Sequence, residues 1–248
     1  MDARNYDLES SDNEGRMYKY EFDLQIRKSL INRFNKLVGL KSEKTCLEVG
    51  SFDGSMTELL LRHHDFVTVV EPSHTLSNLL LDKFGGHIHV IESTIENVGL
   101  EKKFDYIYLI HTLEHLDKPV DSLKHIGGLL NDGGHLFVAV PNARALSRQI
   151  ATEMGIVGFH SAVTDGEGLQ GHRRTYTLDT LKFDLKSAGL SVLYTGGVLL
   201  KTLANYQFDA SLLSGVISQD YIDALDRLSE VYPDFSSSIF AIVQKTQL

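Results

Sequence analysis

Five short runs, residues 45–49, 66–70, 87–91, 104–110 and 135–140, are apolar at nearly every position, and segments of helical pattern separate them. A strand with one face in water alternates apolar and polar residues, whereas a strand buried on both faces is apolar throughout. Runs of the second kind that alternate with helices fit a parallel sheet whose two faces those helices cover. Two later runs, residues 190–195 and 236–244, extend the series to seven strands. The sequence therefore predicts an α/β fold built on a doubly wound, mostly parallel seven-stranded sheet.

Apolar residues recur at helical spacing from Phe22 to Val38, and Gly39 follows where a helix would stop, which predicts an N-terminal helix. Ser73 is placed to cap a helix reaching Phe84, the Asn131, Asp132, Gly133, Gly134 run to close one that opens at Pro119, and Gly189 to end one over residues 178–188. After Asn142 the rhythm breaks. Residues 143–176 mix apolar positions with many glycines and polar residues, and predict a lid inserted after the fifth strand. Residues 201–232 predict a second insertion of loop and helix. With 248 residues, 42% of them hydrophobic, the chain can bury one substantial core, so a single domain over residues 1–248 is expected. Its parts are residues 1–40, a binding core over 44–142, the lid, and residues 177–248 with the rest of the sheet. The polar run from Glu9 to Gly15 is the stretch expected to lack structure.

The formal net charge of −9 includes no basic block, so nucleic acid is excluded as an expected partner. Cys46 is the only cysteine, which rules out an intramolecular disulfide and fits a reducing compartment; its apolar neighbours make it a small core residue. No stretch approaches the roughly 20 apolar residues of a membrane span, and the N-terminus lacks an apolar signal core. A soluble cytoplasmic protein without a membrane partner is expected. A homodimer is allowed for, although no segment signals one.

Between the first strand and its helix lies Glu48-Val49-Gly50-Ser51-Phe52-Asp53-Gly54, with two glycines four apart. In a dinucleotide loop of Gly-x-Gly-x-x-Gly form the second glycine lets the backbone approach a pyrophosphate; here that position is Phe52. Such a loop suits an adenosine ligand without a pyrophosphate, with Gly50 giving close approach and Glu48 reaching a ligand amino group. A plain strand-to-helix turn remains the alternative for the loop alone. Glu71 then stands at the end of the second strand, about 20 residues on, where a carboxylate can accept both ribose hydroxyls. Pro72 and Ser73 fix it at the carboxyl edge.

Together with Val70-Glu71-Pro72, the run 104–107, the run from His111 to Pro119 and Leu129 to Gly134, this loop resembles the class I S-adenosylmethionine-dependent methyltransferases. The likeness is to the small-molecule group that includes ubiquinone-pathway and sugar methyltransferases, and it covers residues 44 to 142. The resemblance implies a Rossmann-like fold, S-adenosyl-L-methionine as cofactor, and a cofactor site made of Glu48, Gly50, Ser51, Phe52, Gly54, Glu71 and Pro72. By position it adds Ser93, Thr94 and Ile95 beside the adenine, and His111, Leu113 and His115 after the fourth strand. Tyr20, just before the first helix, either covers the cofactor's carboxylate or staples that helix.

The acceptor side rests on Gly171-His172-Arg173-Arg174-Thr175-Tyr176, with Asn142 and Arg148. Two adjacent arginines in an acidic chain are expected to clamp a phosphate or carboxylate of a small acceptor. His111, His172 and Tyr176 are the candidate catalytic residues, a histidine serving as base if the acceptor is an alcohol. No metal is expected, because His111 and His115 lack a signalled third ligand. The expected reaction is O- or N-methylation of a small polar metabolite, such as a phosphate-bearing or nucleotide-linked sugar of polysaccharide biosynthesis. The alternatives are a cofactor-binding module without catalysis and a nicotinamide-dependent oxidoreductase.

Overall fold

The computed structural model describes residues 4–10 and 20–246. In chain order the elements are α1 (Tyr6–Ser10), α2 (Glu21–Val38), β1 (Cys46–Val49), α3 (Ser55–Leu60), β2 (Val67–Val70), α4 (His74–Phe84) and β3 (Ile88–Ile91). There follow β4 (Phe104–Ile110), α5 (Pro119–Gly128), β5 (Leu130–Pro141), α6 (Leu146–Glu153), α7 (Asp165–Leu169) and α8 (Leu178–Ser187). The chain closes with β6 (Leu190–Leu200), α9 (Asn205–Leu213), α10 (Gln219–Val231) and β7 (Ser236–Lys245).

The seven strands form one sheet in the order β3-β2-β1-β4-β5-β7-β6. β1 to β5 pair in parallel, and β7 lies antiparallel between β5 and β6. Alternate residues of each strand feed two cores: Ile107, Leu109, Leu136 and Val138 pack on one face, while Tyr106, Tyr108, Phe137 and Ala139 pack on the other. On the second face Phe34 of α2 stacks on Phe137, with ring centroids 4.7 Å apart. Burial of both sheet faces is what made the strands legible as largely apolar runs.

Three boundaries differ from the sequence reading. The Asn131 to Gly134 run sits inside β5, where the register with β4 shifts between the Phe104↔Leu130 and Tyr106↔His135 pairs. β6 runs on past Thr195 to Leu200. The helix α1 was not expected: of the 9–15 run, Glu9 and Ser10 close this helix, and residues 11–15 lie outside the described residues, as do Arg16 to Lys19 before Tyr20. No helix among the described residues is long and apolar enough to cross a membrane.

In a doubly wound sheet the order of connections reverses between two strands, and a crevice opens at their carboxyl ends. Here that point lies between β1 and β4. The lid carries α6 and α7, and a capping box between Thr164 and Glu167 fixes the start of α7. The second insertion carries α9 and α10. Asp209 of α9 accepts from the backbone N–H groups of Glu21 and Phe22, which docks it on the N-terminus of α2.

Candidate active site

A cavity of about 470 Å³ occupies this crevice. From the β1 loop it is lined by Gly50, Ser51 and Phe52, from the end of β2 by Glu71 and Pro72, and after β3 by Ser93, Thr94 and Ile95. His111 and His115 close it after β4, Arg148 and His172 reach it from the lid, and Tyr20 and Arg27 from α2 and the residue before it.

The loop is held open by its backbone. Gly50 has φ +74°, and a Cβ placed on it would stand 2.6 Å from Thr112 Oγ1. That hydroxyl is itself fixed, donating to the carbonyls of Val49 and Ile110 at 3.0 and 3.2 Å. Glu71 organises the next turn: one carboxylate oxygen accepts from the N–H groups of Ser51 and Phe52 at 3.1 and 3.2 Å, the other from Ser73 N–H at 3.1 Å. Burial raises the Glu71 pKa, and the donated N–H groups oppose that rise. Among the described residues three non-glycines have positive φ, and two of them, Phe52 (49°) and His111 (51°), line the cavity. Such backbone persists where the surroundings over-determine it, often at functional sites.

His111 Nε2 is paired with Ser238 Oγ at 2.9 Å, and burial pulls the ring's pKa down to about 3, so the imidazole stays neutral. At the opposite wall Thr94 Oγ1 is buried without a partner among the described residues. A glycine cradle, a fixed acid, an unpartnered buried hydroxyl and a cavity of this volume fit a nucleoside-sized ligand.

Several expected residues stand elsewhere. Glu48 lies behind the loop, 2% exposed, accepting from Thr57 Oγ1 at 2.7 Å with its other oxygen unpartnered. Gly54 is a packing position, since a Cβ there would meet Phe84 and Leu80 at 2.6 and 2.7 Å. Leu113 is fully buried in the core. Tyr176 turns to α8, where its hydroxyl donates to Asp184 at 3.0 Å, and burial raises its pKa, so it is not a base for the cavity.

The arginine clamp is not formed by the expected pair. Arg173 pairs with Asp117 at 2.6 Å, and Arg174 donates to the carbonyls of Leu113, Leu116 and Asp117. Both tie down the turn after β4. Arg148 lines the cavity but pairs with Glu167 at 2.6 Å. Asn142 also lines it, yet its amide donates to the carbonyls of Asp234 and Ser236 and accepts from Arg144 N–H. The residues that sequence reasoning missed are Arg27 and Lys201. Arg27 lines the cavity and has no ion pair among the described residues; Lys201, at the end of β6, lines it too, with burial lowering its pKa to about 8. One helical residue and one strand-end residue, far apart in the chain, leave no local pattern to read.

Burial raises the Glu48 pKa to about 8, with Thr57 opposing. The folded state keeps the proton that the unfolded chain releases above its ordinary 4.5, so this group lowers stability as pH rises from 4.5 through 8. Glu48→Gln, neutral at every pH, is expected to remove that decline. Unfolding midpoints of the ligand-free protein between pH 5 and 9 check it; parallel wild-type and variant curves would refute it.

The switch-point cavity, glycine loop and strand-end acid define the cofactor half of a class I methyltransferase fold. The family model of the methyltransferase domain matches residues 22–195. A curated relative, the ubiquinone biosynthesis O-methyltransferase of Nitrosomonas europaea, is 25% identical over 117 residues, 45% of this chain and 50% of the relative. The chain thus spans about half the length of the curated relative it matches. The N-methyltransferase NodS of Bradyrhizobium japonicum, solved with S-adenosyl-L-homocysteine, superposes with TM-score 0.59 at 15% identity, over 97% of this chain and 95% of NodS. The [4+2]-cyclase SpnF superposes with TM-score 0.61 at 15% identity, over 98% of this chain and 87% of SpnF, so the fold alone does not set the reaction. The chain belongs to the family of that model, the methyltransferase domain, and its fold is that of the class I methyltransferases.

Proposed function

We propose that this chain transfers a methyl group from S-adenosylmethionine to an oxygen or nitrogen of a small polar acceptor, in the cytoplasm. One observation carries the reading: a single cavity joins the glycine loop and Glu71 to a second wall of His111, Ser238 and Lys201. Gly50, Ser51 and Glu71 would hold the nucleoside, Thr94 and Ile95 would flank its base, and Arg27 is the cation for its carboxylate. When bound, the cofactor supplies a methyl carbon already activated by sulfonium. The chain then needs to orient the acceptor and take its proton.

His111 is the group for that step. At a pKa of about 3 the ring is always able to accept a proton, but it is a weak base. Its main work is therefore to align a hydroxyl by hydrogen bond and receive the proton late. His111→Ala is expected to lower kcat about 100-fold for a hydroxyl acceptor, the low end for a positioned acid–base group. Cofactor affinity should stay within a few-fold, and an amine acceptor arriving uncharged should lose far less. Rates with matched hydroxyl and amine acceptors test this; equal losses would remove His111 as proton acceptor.

The likeness to an O-methyltransferase of ubiquinone biosynthesis and to NodS supports a small-molecule acceptor without choosing between oxygen and nitrogen. A phosphate-bearing or nucleotide-linked sugar, as in polysaccharide assembly, keeps support only through Lys201, because Arg173 and Arg174 are bound to the turn. Calorimetry with S-adenosylmethionine and with NADH, then an acceptor screen read by S-adenosylhomocysteine release, tests the whole reading. Tight NADH binding with no S-adenosylmethionine binding would end it.

A further inference from the structure

Three chemistry-bearing side chains that the methyl-transfer step does not use meet at the mouth of the cavity. Glu114 and His115 come from the turn after β4, and His172 from the lid. One ligand atom of each lies within 4.8 Å of the other two. His115 Nε2 stands 4.0 Å from Glu114 Oε1, and the two imidazoles meet edge to face with centroids 4.6 Å apart.

Glu114 is the telling member. It is 1% exposed, and neither carboxylate oxygen has a hydrogen-bond partner among the described residues. A buried carboxylate without a donor is costly unless it is neutralised or bound. The nearby cations are committed: Arg174 to three carbonyls, Arg173 to Asp117, Arg148 to Glu167 and Arg4 to Glu9. The His115 ring is placed as a ligating imidazole would be: its Nδ1 edge packs against Gly171 and its Nε2 is turned toward Glu114.

We propose that Glu114, His115 and His172 hold one divalent transition-metal ion, and that this ion pins the lid to the turn after β4. Two imidazoles and a carboxylate suit zinc, iron(II), cobalt or manganese; magnesium and calcium favour oxygen ligands. Three protein ligands leave coordination positions open, and all three residues line the cavity, so the open side faces the acceptor. An acceptor hydroxyl bound there would be acidified. That last step alone rests on the methyl-transfer reading; the ion and its hold on the lid do not.

Cobalt(II) is the probe, because a site of few ligands gives it visible absorption. The full chain, stripped with chelator, is titrated with cobalt(II) and then back-titrated with zinc(II). One equivalent of cobalt with visible bands, displaced by zinc, is expected, with affinity at least 10-fold weaker in His172→Ala and in Glu114→Gln. Zinc should also slow amide exchange over residues 143–176 in the wild type and leave it unchanged in His172→Ala. No stoichiometric cobalt spectrum, or a spectrum and affinity unaltered in His172→Ala, would overturn the proposal. If Glu114→Gln does not fold, His172→Ala, on the lid, still decides. S-adenosylmethionine calorimetry on the same samples keeps the outcomes apart: metal binding without cofactor binding leaves the site standing and sinks the methyl-transfer reading instead.

Discussion

Gly50→Ala is expected to weaken S-adenosylmethionine binding by at least about 100-fold while the protein still folds. Two costs coincide at one atom. At φ +74° a Cβ sits in the left-handed region, which costs an alanine roughly 1–2 kcal/mol. The same Cβ would stand 2.6 Å from Thr112 Oγ1 and 2.9 Å from its methyl carbon. Thr112 cannot rotate away without breaking its bonds to the carbonyls of Val49 and Ile110, each worth about 1 kcal/mol. The cheapest response is for the loop to swing into the cavity that the cofactor must enter. At about 1.4 kcal/mol per tenfold, a shift of about 3 kcal/mol gives the expected loss. Calorimetry reads it, and an unchanged dissociation constant in a folded variant would show that the loop does not cradle the ligand. The companion change Thr112→Ser, which removes the methyl and keeps the hydroxyl, should leave binding nearly intact.

The sheet was legible in the sequence because its strands are buried on both faces, so runs 45–49, 66–70, 104–110 and 236–244 announce themselves without context. The boundaries that moved were decided by pairing across strands. Asn131 to Gly134 has the composition of a helix stop, yet Phe104 pairs with Leu130 and the polar run is carried as an irregularity in β5. Gly196 and Gly197 read as a strand end, but a Cβ on Gly196 would press on the Phe240 ring at 2.8 Å, so the glycines admit β7 and β6 continues.

The site divides the same way. Gly50, Ser51, Phe52 and Glu71 were readable because backbone demands at a strand-to-helix turn are local. Arg173 and Arg174 were misassigned because sequence gives their charge and not their direction. The turn after β4 is a short 3-10 helix whose ends leave carbonyls unpaired, and the two guanidiniums satisfy these first. The meeting of Glu114 and His115 with His172 depends on how the lid folds back, which no spacing in the chain encodes.

Glu71→Ala is expected to do more damage than any other single change in the cofactor half, because one carboxylate serves three N–H groups. Ser51 and Phe52 donate to one oxygen and Ser73 to the other, and Ser51 Oγ adds a longer bond of 3.3 Å. Glu71 is only 5% exposed, so water reaches the vacated place poorly. A buried donor left unpaired costs about 1–3 kcal/mol, and three at the low end give a stability loss of about 3 kcal/mol. For a chain of this size that lowers the unfolding midpoint by roughly 6–12 °C. Cofactor affinity should fall more than 100-fold at the same time, since the loop loses its anchor and the ribose its acceptor. Glu71→Gln separates the two effects. It keeps an oxygen for one set of donors and turns an amide N–H₂ toward the other, so stability should recover by more than half while cofactor binding stays at least about 10-fold weakened. Thermal unfolding and calorimetry on both variants read this. Equal recovery of both quantities in Glu71→Gln would mean that Glu71 only braces the loop, and wild-type affinity in Glu71→Ala would remove it from the site.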